Sequence, residues 1–173
     1  AKLLITDVSR VYITLLKVMV PALIIVKLLD MVGGTALLAR VLAPLMALVG
    51  LPEQMGLVWA TVILTNIYTG MAVFFDMAVS QTLTVAQVSV LGVMMLIAHS
   101  LPIEGAVAKM AGVSWRITLP LRIGGGFLFG IIVHQIYSFG DWQQQQAVFA
   151  WQPAAMSDSL TDWAISQTMM LIH

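Results

Sequence analysis

Cysteine and charge are what this sequence lacks most. None of the 173 residues is a cysteine, and only 9% are charged. The absence of cysteine excludes disulfide bonds, thiolate metal sites and cysteine nucleophiles. The shortage of charge excludes a surface that mainly faces water, because globular domains carry about 25% charged residues. The formal net charge is zero, so we expect no nucleic-acid partner, which a basic surface would attract.

Catalytic motifs are missing as well. The sequence contains no HExxH, GxSxG or P-loop pattern. It also has no pair of histidines at helical spacing, which a zinc site on a helix would need. We therefore expect a protein that is not an enzyme and that has no metal site and no cofactor.

Apolar residues dominate what is present. Hydrophobic residues make up 60% of the chain, and the mean hydropathy is +0.98. This composition predicts an all-α, polytopic integral membrane protein whose main partner is the lipid bilayer. Three segments are predicted to be spanning helices: residues 55–79, 84–98 and 116–138.

Two further apolar segments are predicted to be amphipathic or re-entrant. Residues 11–31 carry Lys17, Lys27 and Asp30, so this segment either spans with a tilt or lies at the interface. Residues 36–49 are too short to cross about 30 Å of hydrocarbon at about 1.5 Å per residue. We expect this segment to be interfacial or re-entrant.

The chain divides into three regions. Residues 1–138 form the predicted membrane domain. Residues 139–159, with a run of four glutamines and two tryptophans, form a polar interfacial loop. Residues 160–173 begin a further apolar helix, whose Thr-Asp start also occurs near the N-terminus. This similarity is either a shared N-cap pattern or a second repeat, in which case the chain holds half of a repeat architecture. A related half, a partner subunit or a homo-oligomer would complete such a fold.

Lysine and arginine predict the orientation. The 99–122 connection carries Lys109, Arg116 and Arg122, whereas residues 139–163 carry neither residue type. The positive-inside rule therefore places the first inside and the second outside. Parity across a spanning 55–79 helix then places residues 32–54 inside as well.

A polar stripe follows residues 55–79. On one continuous helix, four side chains share a face: Thr61, Thr65, Thr69 and Asp76. Asn66 flanks this stripe, and lipid offers neither Asn66 nor Asp76 a partner. These groups either bond to neighbouring helices or line a path for a solute or an ion. The segment NIYTG, residues 66–70, is also predicted to unwind locally.

A second polar interruption lies in IAHSLPIEGAVAKMAG, residues 97–112. Pro102 removes a backbone donor and disfavours a helical conformation at the preceding residue. His99 and Glu104 would cost several kcal/mol if they faced lipid. The segment is therefore either a re-entrant helix that presents its N-terminus to a polar ligand or an ordinary inner loop with Glu104 in water.

Small residues mark the last predicted span. Close helix packing is the predicted role of Gly124, Gly125, Gly126 and Gly130. His134 lies further along this span, towards the same outer side as Asp76. These two residues are candidates to pair with each other or to line an ion or proton route.

Residues 10–138 resemble a known family. The segments LARVLAPLMALVGLP and NIYTGMAV, followed by AHSLPIEGAVAKMAGVS and RITLPLRIGGGFLFG, are similar to the nucleoside recognition (Gate) domain family. That family includes spore-maturation-type membrane proteins and the gate segments of nucleoside and ferrous-iron transporters. The resemblance implies a multi-pass protein of the bacterial inner membrane, often built from two related halves. It also implies that residues 66–70 and 99–104 face a central cavity, while the lack of cysteine weakens an iron-transporter interpretation.

The sequence thus predicts a transporter-like or gating protein that binds a small polar solute, nucleoside-like by the resemblance. The predicted solute contacts are Asn66, Thr69, Gly70, Ser100 and Glu104. The candidates for ion or proton coupling are Asp76, His99 and His134. The alternative is a non-transporting assembly or scaffold subunit whose polar residues only mediate helix packing.

Overall fold

The computed structural model describes residues 31–78 and 82–149, together with single residues and pairs between 13 and 28. The predictions for the repeat and for residues 160–173 lie outside these residues, as do most of residues 11–31. Within the two continuous ranges the chain is helical, as predicted, and contains no strand beyond one isolated bridge between Thr84 and Gln146. The helices are α1 (Gly34–Met46), α2 (Met55–Leu64), α3 (Ile67–Ala78), α4 (Val85–Ile97), α5 (Leu101–Met110) and α6 (Trp115–Gly140), with a 3-10 turn at Ala47–Val49 after α1.

Helices α1 and α2 form a tight antiparallel pair. A Cβ atom placed on Gly56 of α2 would lie 3.0 Å from the backbone nitrogen of Ala43 and 3.2 Å from the carbonyl oxygen of Ala39. Small residues on both helices therefore let the two backbones approach closely. The short α1 agrees with the prediction that residues 36–49 cannot cross a bilayer alone.

Helix α3 folds back along α2. A Cβ atom on Gly70 would collide with the Val62 side chain and lie 3.5 Å from the Val58 carbonyl oxygen, although a straight helix would hold these residues far apart. The prediction of one spanning helix over 55–79 is therefore wrong. The two helices, of 10 and 12 residues, are about 15 and 18 Å long, too short for about 30 Å of hydrocarbon.

Helix α4 begins with a capping box. The Thr84 hydroxyl accepts a hydrogen bond from the Gln87 backbone at 3.2 Å, and the Gln87 side chain accepts one from the Thr84 backbone at 3.0 Å. The helix ends at Ile97, and after an interruption at Ala98–Ser100 the chain continues as α5. Together, Val85–Met110 form a 26-residue segment long and apolar enough to cross a membrane.

Helix α6 is the second candidate span, with 26 residues from Trp115 to Gly140. It passes the predicted end of the membrane domain at residue 138 by two residues. It packs against α4 through Gly130, where an added Cβ would lie 2.9 Å from Met94 Cγ, and against α2 through Gly126, where it would lie 3.1 Å from Trp59 Cζ2. Gly125 is in ordinary contact with Ile97.

Gly124 does not share this packing face. Nothing in the described part of the chain lies within 4 Å of a Cβ atom added there, so its packing role stays a prediction. Two residues correspond to about 200° of helical rotation. Gly126 faces α2 and α4, and Gly124 therefore lies on nearly the opposite face of α6.

Trp59 lies at the centre of the core. Its side chain is completely buried, its indole Nε1 donates to the Met94 carbonyl oxygen at 3.3 Å, and its ring meets Phe127 edge-on at 4.9 Å. A buried indole N–H needs such an acceptor. This one residue therefore connects α2 with both α4 and α6.

One end of the molecule, which we call the loop end, carries Gly50, Thr84 and residues 141–149. Gln87 Nε2 donates to the Gly50 carbonyl oxygen at 3.0 Å, and Ala147 N donates to the Leu83 carbonyl oxygen at 2.8 Å. Gly50 thus shares an end with residues 141–149, so the prediction that all of residues 32–54 lie on the opposite side is wrong. The reason is that residues 55–78 turn back instead of crossing.

Candidate functional site

The two interruptions of the helices meet. The first is the tip of the α2–α3 hairpin, Thr65–Asn66, and the second is the break between α4 and α5, Ala98–Ser100. The backbone N–H of Ser100 donates to the Val62 carbonyl oxygen at 2.9 Å. In a continuous helix, the Val62 carbonyl oxygen would accept from the Asn66 backbone N–H. Each interruption therefore frees one backbone group, and the two freed groups bond to each other.

The tip is built by Asn66. Its Oδ1 accepts from the Thr69 backbone N–H at 2.9 Å and from the Thr69 hydroxyl at 3.3 Å, which is the geometry of a helix N-cap. An asparagine cap starts a new helix and competes with continuation of the old one. Because an N–H can only donate, the amide oxygen must face Thr69, and the amide nitrogen has no hydrogen-bond partner among the described residues.

The break is held in an unusual backbone conformation. Ser100 has φ 47° and ψ 35°, the left-handed region that favours glycine. Pro102 follows in the first turn of α5, so the predicted helix interruption at this point is confirmed. The chain turns here without glycine, and the Ser100 N–H is directed at Val62 on the hairpin.

Three ionisable side chains form an ionic cluster beside the break. Glu104 Oε1 lies 2.9 Å from His99 Nδ1, and Glu104 Oε2 pairs with Arg122 Nη2. The exposed fraction of the side chain is 34% for Glu104, 25% for His99 and 30% for Arg122. Glu104 also lies in the first turn of α5, where the helix dipole favours a negative charge. The cluster thus ties the break, α5 and α6 together.

The site lies deep relative to the loop end. Helix α2 of 10 residues reaches about 15 Å from that end to the tip. Helix α4 of 13 residues reaches about 20 Å to the break. With the loop end at one membrane boundary, both interruptions lie within about 30 Å of hydrocarbon.

The structure brings together four of the five predicted solute contacts: Asn66, Thr69, Ser100 and Glu104 are at the tip, the break and the ionic cluster. Gly70 is instead buried against α2 and has no face open to a solute. Arg122 was assigned only to the positive-inside pattern and was missed as a site residue. A cation within an apolar helix that follows an acidic break was the available signal.

The predicted polar stripe is divided by the tip. The hydroxyls of Thr61 and Thr65 donate to the carbonyl oxygens of Leu57 and Thr61, at 2.9 and 2.7 Å. These two threonines therefore bond to their own helix, which leaves Asn66 and Thr69 as the polar groups of the tip. Asp76 is exposed near the far end of α3.

His134 lies at the loop end, away from the ionic cluster. Its Nδ1 is 3.4 Å from the Ser138 hydroxyl, and its ring would collide with a Cβ atom on Gly50, whose φ is +69°. With Gln87 and Tyr137, His134 lines a polar cavity of about 160 Å³. Asp76 and His134 are both described, and no ion pair joins them.

In the part of the chain that the structure describes, no three His, Asp or Glu side chains come together in a way that could hold a metal ion. The ionic cluster offers one carboxylate and one imidazole, and Arg122 already occupies the second carboxylate oxygen. The cluster is thus a paired carboxylate that lies between interrupted helices. Such a carboxylate can exchange a proton or an ion-pair partner.

Two apolar candidate spans and a partly buried junction of interrupted helices define a helical membrane protein. The chain is similar to the uncharacterized membrane protein YvoD of Bacillus subtilis (strain 168), with 30% identity over 142 residues. The match covers 82% of this chain and 44% of the relative, so the chain spans less than half the length of the protein it matches. No family model matches the chain, and no solved structure matches it.

Proposed function

We propose that this protein is transporter-like or gating, and that it binds a small polar solute where the hairpin tip meets the helix break. Its proposed location is the bacterial inner membrane, crossed more than once, with residues 139–163 outside. The resemblance to the nucleoside recognition (Gate) family supports this proposal and makes nucleosides and bases the first solutes to test.

The observation that carries the proposal is the hydrogen bond from Ser100 N to the Val62 carbonyl oxygen, at 2.9 Å. Irregular backbone at membrane depth is tolerated only where protein buries it or where it lines a cavity. Interrupted helices that meet near the middle of the membrane are also how many secondary transporters build their binding sites.

The ionic cluster supplies the coupling part of the proposal. A charged group in so apolar a setting is costly, so its presence there points to a function. His99 and Glu104 are the proposed ion or proton coupling pair, and Arg122 holds the carboxylate in place. Asp76 and His134 stay predictions for coupling at the loop end. We further propose that a related half, a partner subunit or a second copy completes the site.

A scaffold function is the second candidate, and one observation favours it. The polar groups partly satisfy one another within the chain, because Asn66 caps α3 and Glu104 is paired on both of its oxygens. In this alternative, the same residues only hold helices together and no solute binds.

Ligand-dependent thermal unfolding separates the two candidates. The purified protein in lipid nanodiscs is heated with nucleosides, bases, Na⁺ or K⁺, at two pH values, and flux of any stabilising solute is then measured in proteoliposomes. We expect a solute to raise the Tm of the wild type by mass action, and Glu104→Gln to lose that rise.

The matched control is Glu53→Gln, which removes an exposed carboxylate at the loop end. This variant should keep both the Tm shift and the flux. If no solute shifts the wild-type Tm, and Glu104→Gln changes only stability or oligomeric state, the transporter proposal is wrong and the scaffold function is supported.

A further inference from the structure

The turn between α5 and α6 is a compact, hydrogen-bonded structure. The backbone N–H of Val113 donates to the Ala108 carbonyl oxygen at 2.9 Å. The N–H of Gly112 donates to the Lys109 carbonyl oxygen at 3.1 Å. Gly112 has a φ of +93°, the left-handed conformation in which a glycine commonly ends a helix. This well-formed helix end gives the turn one defined backbone arrangement.

The ring of Trp115 packs on Gly105 and ties α5 to α6 near this turn. A Cβ atom on Gly105 would collide with the Trp115 ring, so the absence of a side chain lets the start of α6 lie close to α5. Lys109 lies in the last turn of α5 and Arg116 in the first turn of α6. The packing therefore holds the two cations at the same end of the molecule.

The turn carries positive charge that the described part of the chain does not neutralise. Residues 105–121 contain no Asp or Glu. Lys109 and Arg116 are both exposed, and no ion pair joins either of them to an acidic residue among the described residues. The dipole of α5 favours Lys109 at its C-terminal end, whereas the dipole of α6 opposes a cation in its first turn. An external anion would thus stabilise Arg116 in particular.

The length of α6 places the turn among lipid headgroups. A helix of 26 residues is about 39 Å long. This length exceeds about 30 Å of hydrocarbon and is close to the thickness of a bilayer with its headgroups, about 40–45 Å. With the loop end at one boundary, the turn lies at the headgroups of the opposite leaflet. Met110, Val113 and Ile117 are exposed there, and apolar side chains beside cations are typical of segments that rest in the interface.

We propose that the α5–α6 turn binds the phosphate groups of anionic phospholipids through Lys109 and Arg116, with its exposed apolar side chains in the membrane interface. An arginine can hold a phosphate through two parallel hydrogen bonds, and a lysine adds a point charge. This inference is independent of the proposed function, because the turn lies at the opposite end of α5 from the break. Each cation near an anionic surface contributes about five-fold in affinity.

A lipid titration of the purified protein in a neutral detergent tests the inference. The Tm is measured as phosphatidylglycerol or phosphatidylcholine is added, and the half-effective concentrations of the two lipids are compared. For the wild type we expect phosphatidylglycerol to act at a concentration about ten-fold lower or less, since two cations contribute. At about 1 M sodium chloride, where the Debye length is about 3 Å, most of this difference should disappear.

Two double variants separate charge from structure. Lys109→Gln combined with Arg116→Gln removes both charges, and the two lipids should then act at about the same concentration. Lys109→Arg combined with Arg116→Lys is the matched control, because it keeps both charges at the same positions and should keep the preference. A role of Lys109 only as a helix-end cation would shift the Tm equally in both lipids and would leave their ratio unchanged.

Three outcomes would contradict the inference. The first is that both lipids act alike on the wild type, a result that does not depend on the folding of any variant. The second is a preference that the uncharged double variant or high salt leaves intact. The third is that glycerol 3-phosphate in solution raises the Tm as much as phosphatidylglycerol does, since the turn would then bind a soluble anion and not a membrane.

Discussion

At the scale of single residues, Asn66 and Ser100 decide where the helices stop. Both positions were recognisable from the sequence, because asparagine in an apolar helix and proline two residues after a serine are strong local signals. The role of Arg122 was missed, although a cation in an apolar helix after an acidic break was a signal in the sequence. Its pairing with Glu104 depends on how α5 and α6 cross, and the intervening sequence does not encode that angle locally.

The cap at Asn66 should make a measurable contribution to the free energy of unfolding. Asn66→Ala removes the acceptor for the Thr69 N–H and should lower the free energy of unfolding by about 1 kcal/mol. Asn66→Ser retains an acceptor without adding a charge and should stay close to the wild type. Chemical unfolding in detergent measures both variants, and equal losses for alanine and serine would show that the cap contributes nothing.

The backbone at Ser100 gives the second prediction at this scale. Its positive φ of 47° suits glycine, so Ser100→Gly should stay within about 1 kcal/mol of the wild type. Ser100→Val places a β-branched side chain in the same conformation and should cost about 1–3 kcal/mol. If the two variants unfold alike, the left-handed turn does not form in the protein.

At the scale of elements, pattern and composition predicted the helices better than their directions. Residues 84–98 and 116–138 are helical as expected because long apolar runs propagate a helix once it starts. The hairpin was predicted as one span. A break at Asn66 shows where α2 ends, but only the approach of Gly70 to Val62 turns α3 back.

The α4–α6 interface allows a test with a matched control on one helix. Gly130→Leu places a side chain against Met94, which lies 2.9 Å from the added Cβ, and should cost about 1–3 kcal/mol through overpacking. No described residue lies within 4 Å of a Cβ atom at Gly124, so Gly124→Leu should change stability by less than about 0.5 kcal/mol. The midpoints of thermal unfolding compare the two, and a larger loss at Gly124 would contradict the interface.

At the scale of the whole molecule, the hairpin sets the topology. Gln54 before α2 and Thr82 after α3 lie on the same side if the hairpin is re-entrant, and on opposite sides if residues 55–79 cross. The natural chain has no cysteine, so Gln54→Cys and Thr82→Cys each carry a single thiol. An impermeant maleimide added to sealed vesicles should label both from one side and Lys109→Cys from the other.

Labelling of Gln54→Cys and Thr82→Cys from opposite sides would show that residues 55–79 cross the membrane. The tip and the break would then not form a junction. The same experiment also shows whether that common side is the outside, as the distribution of lysine and arginine predicts. Such a result is independent of any ligand, because it depends only on which segments cross the bilayer.

The single hydrogen bond between the tip and the break also has a consequence in time. The Ser100 amide proton is protected from exchange with water by one acceptor on a different element, the Val62 carbonyl oxygen. Amides inside α4 are held by their own helix, so they exchange when that helix unwinds. The Ser100 amide exchanges whenever the hairpin moves away, and the deuterium uptake of this one proton counts how often the junction opens.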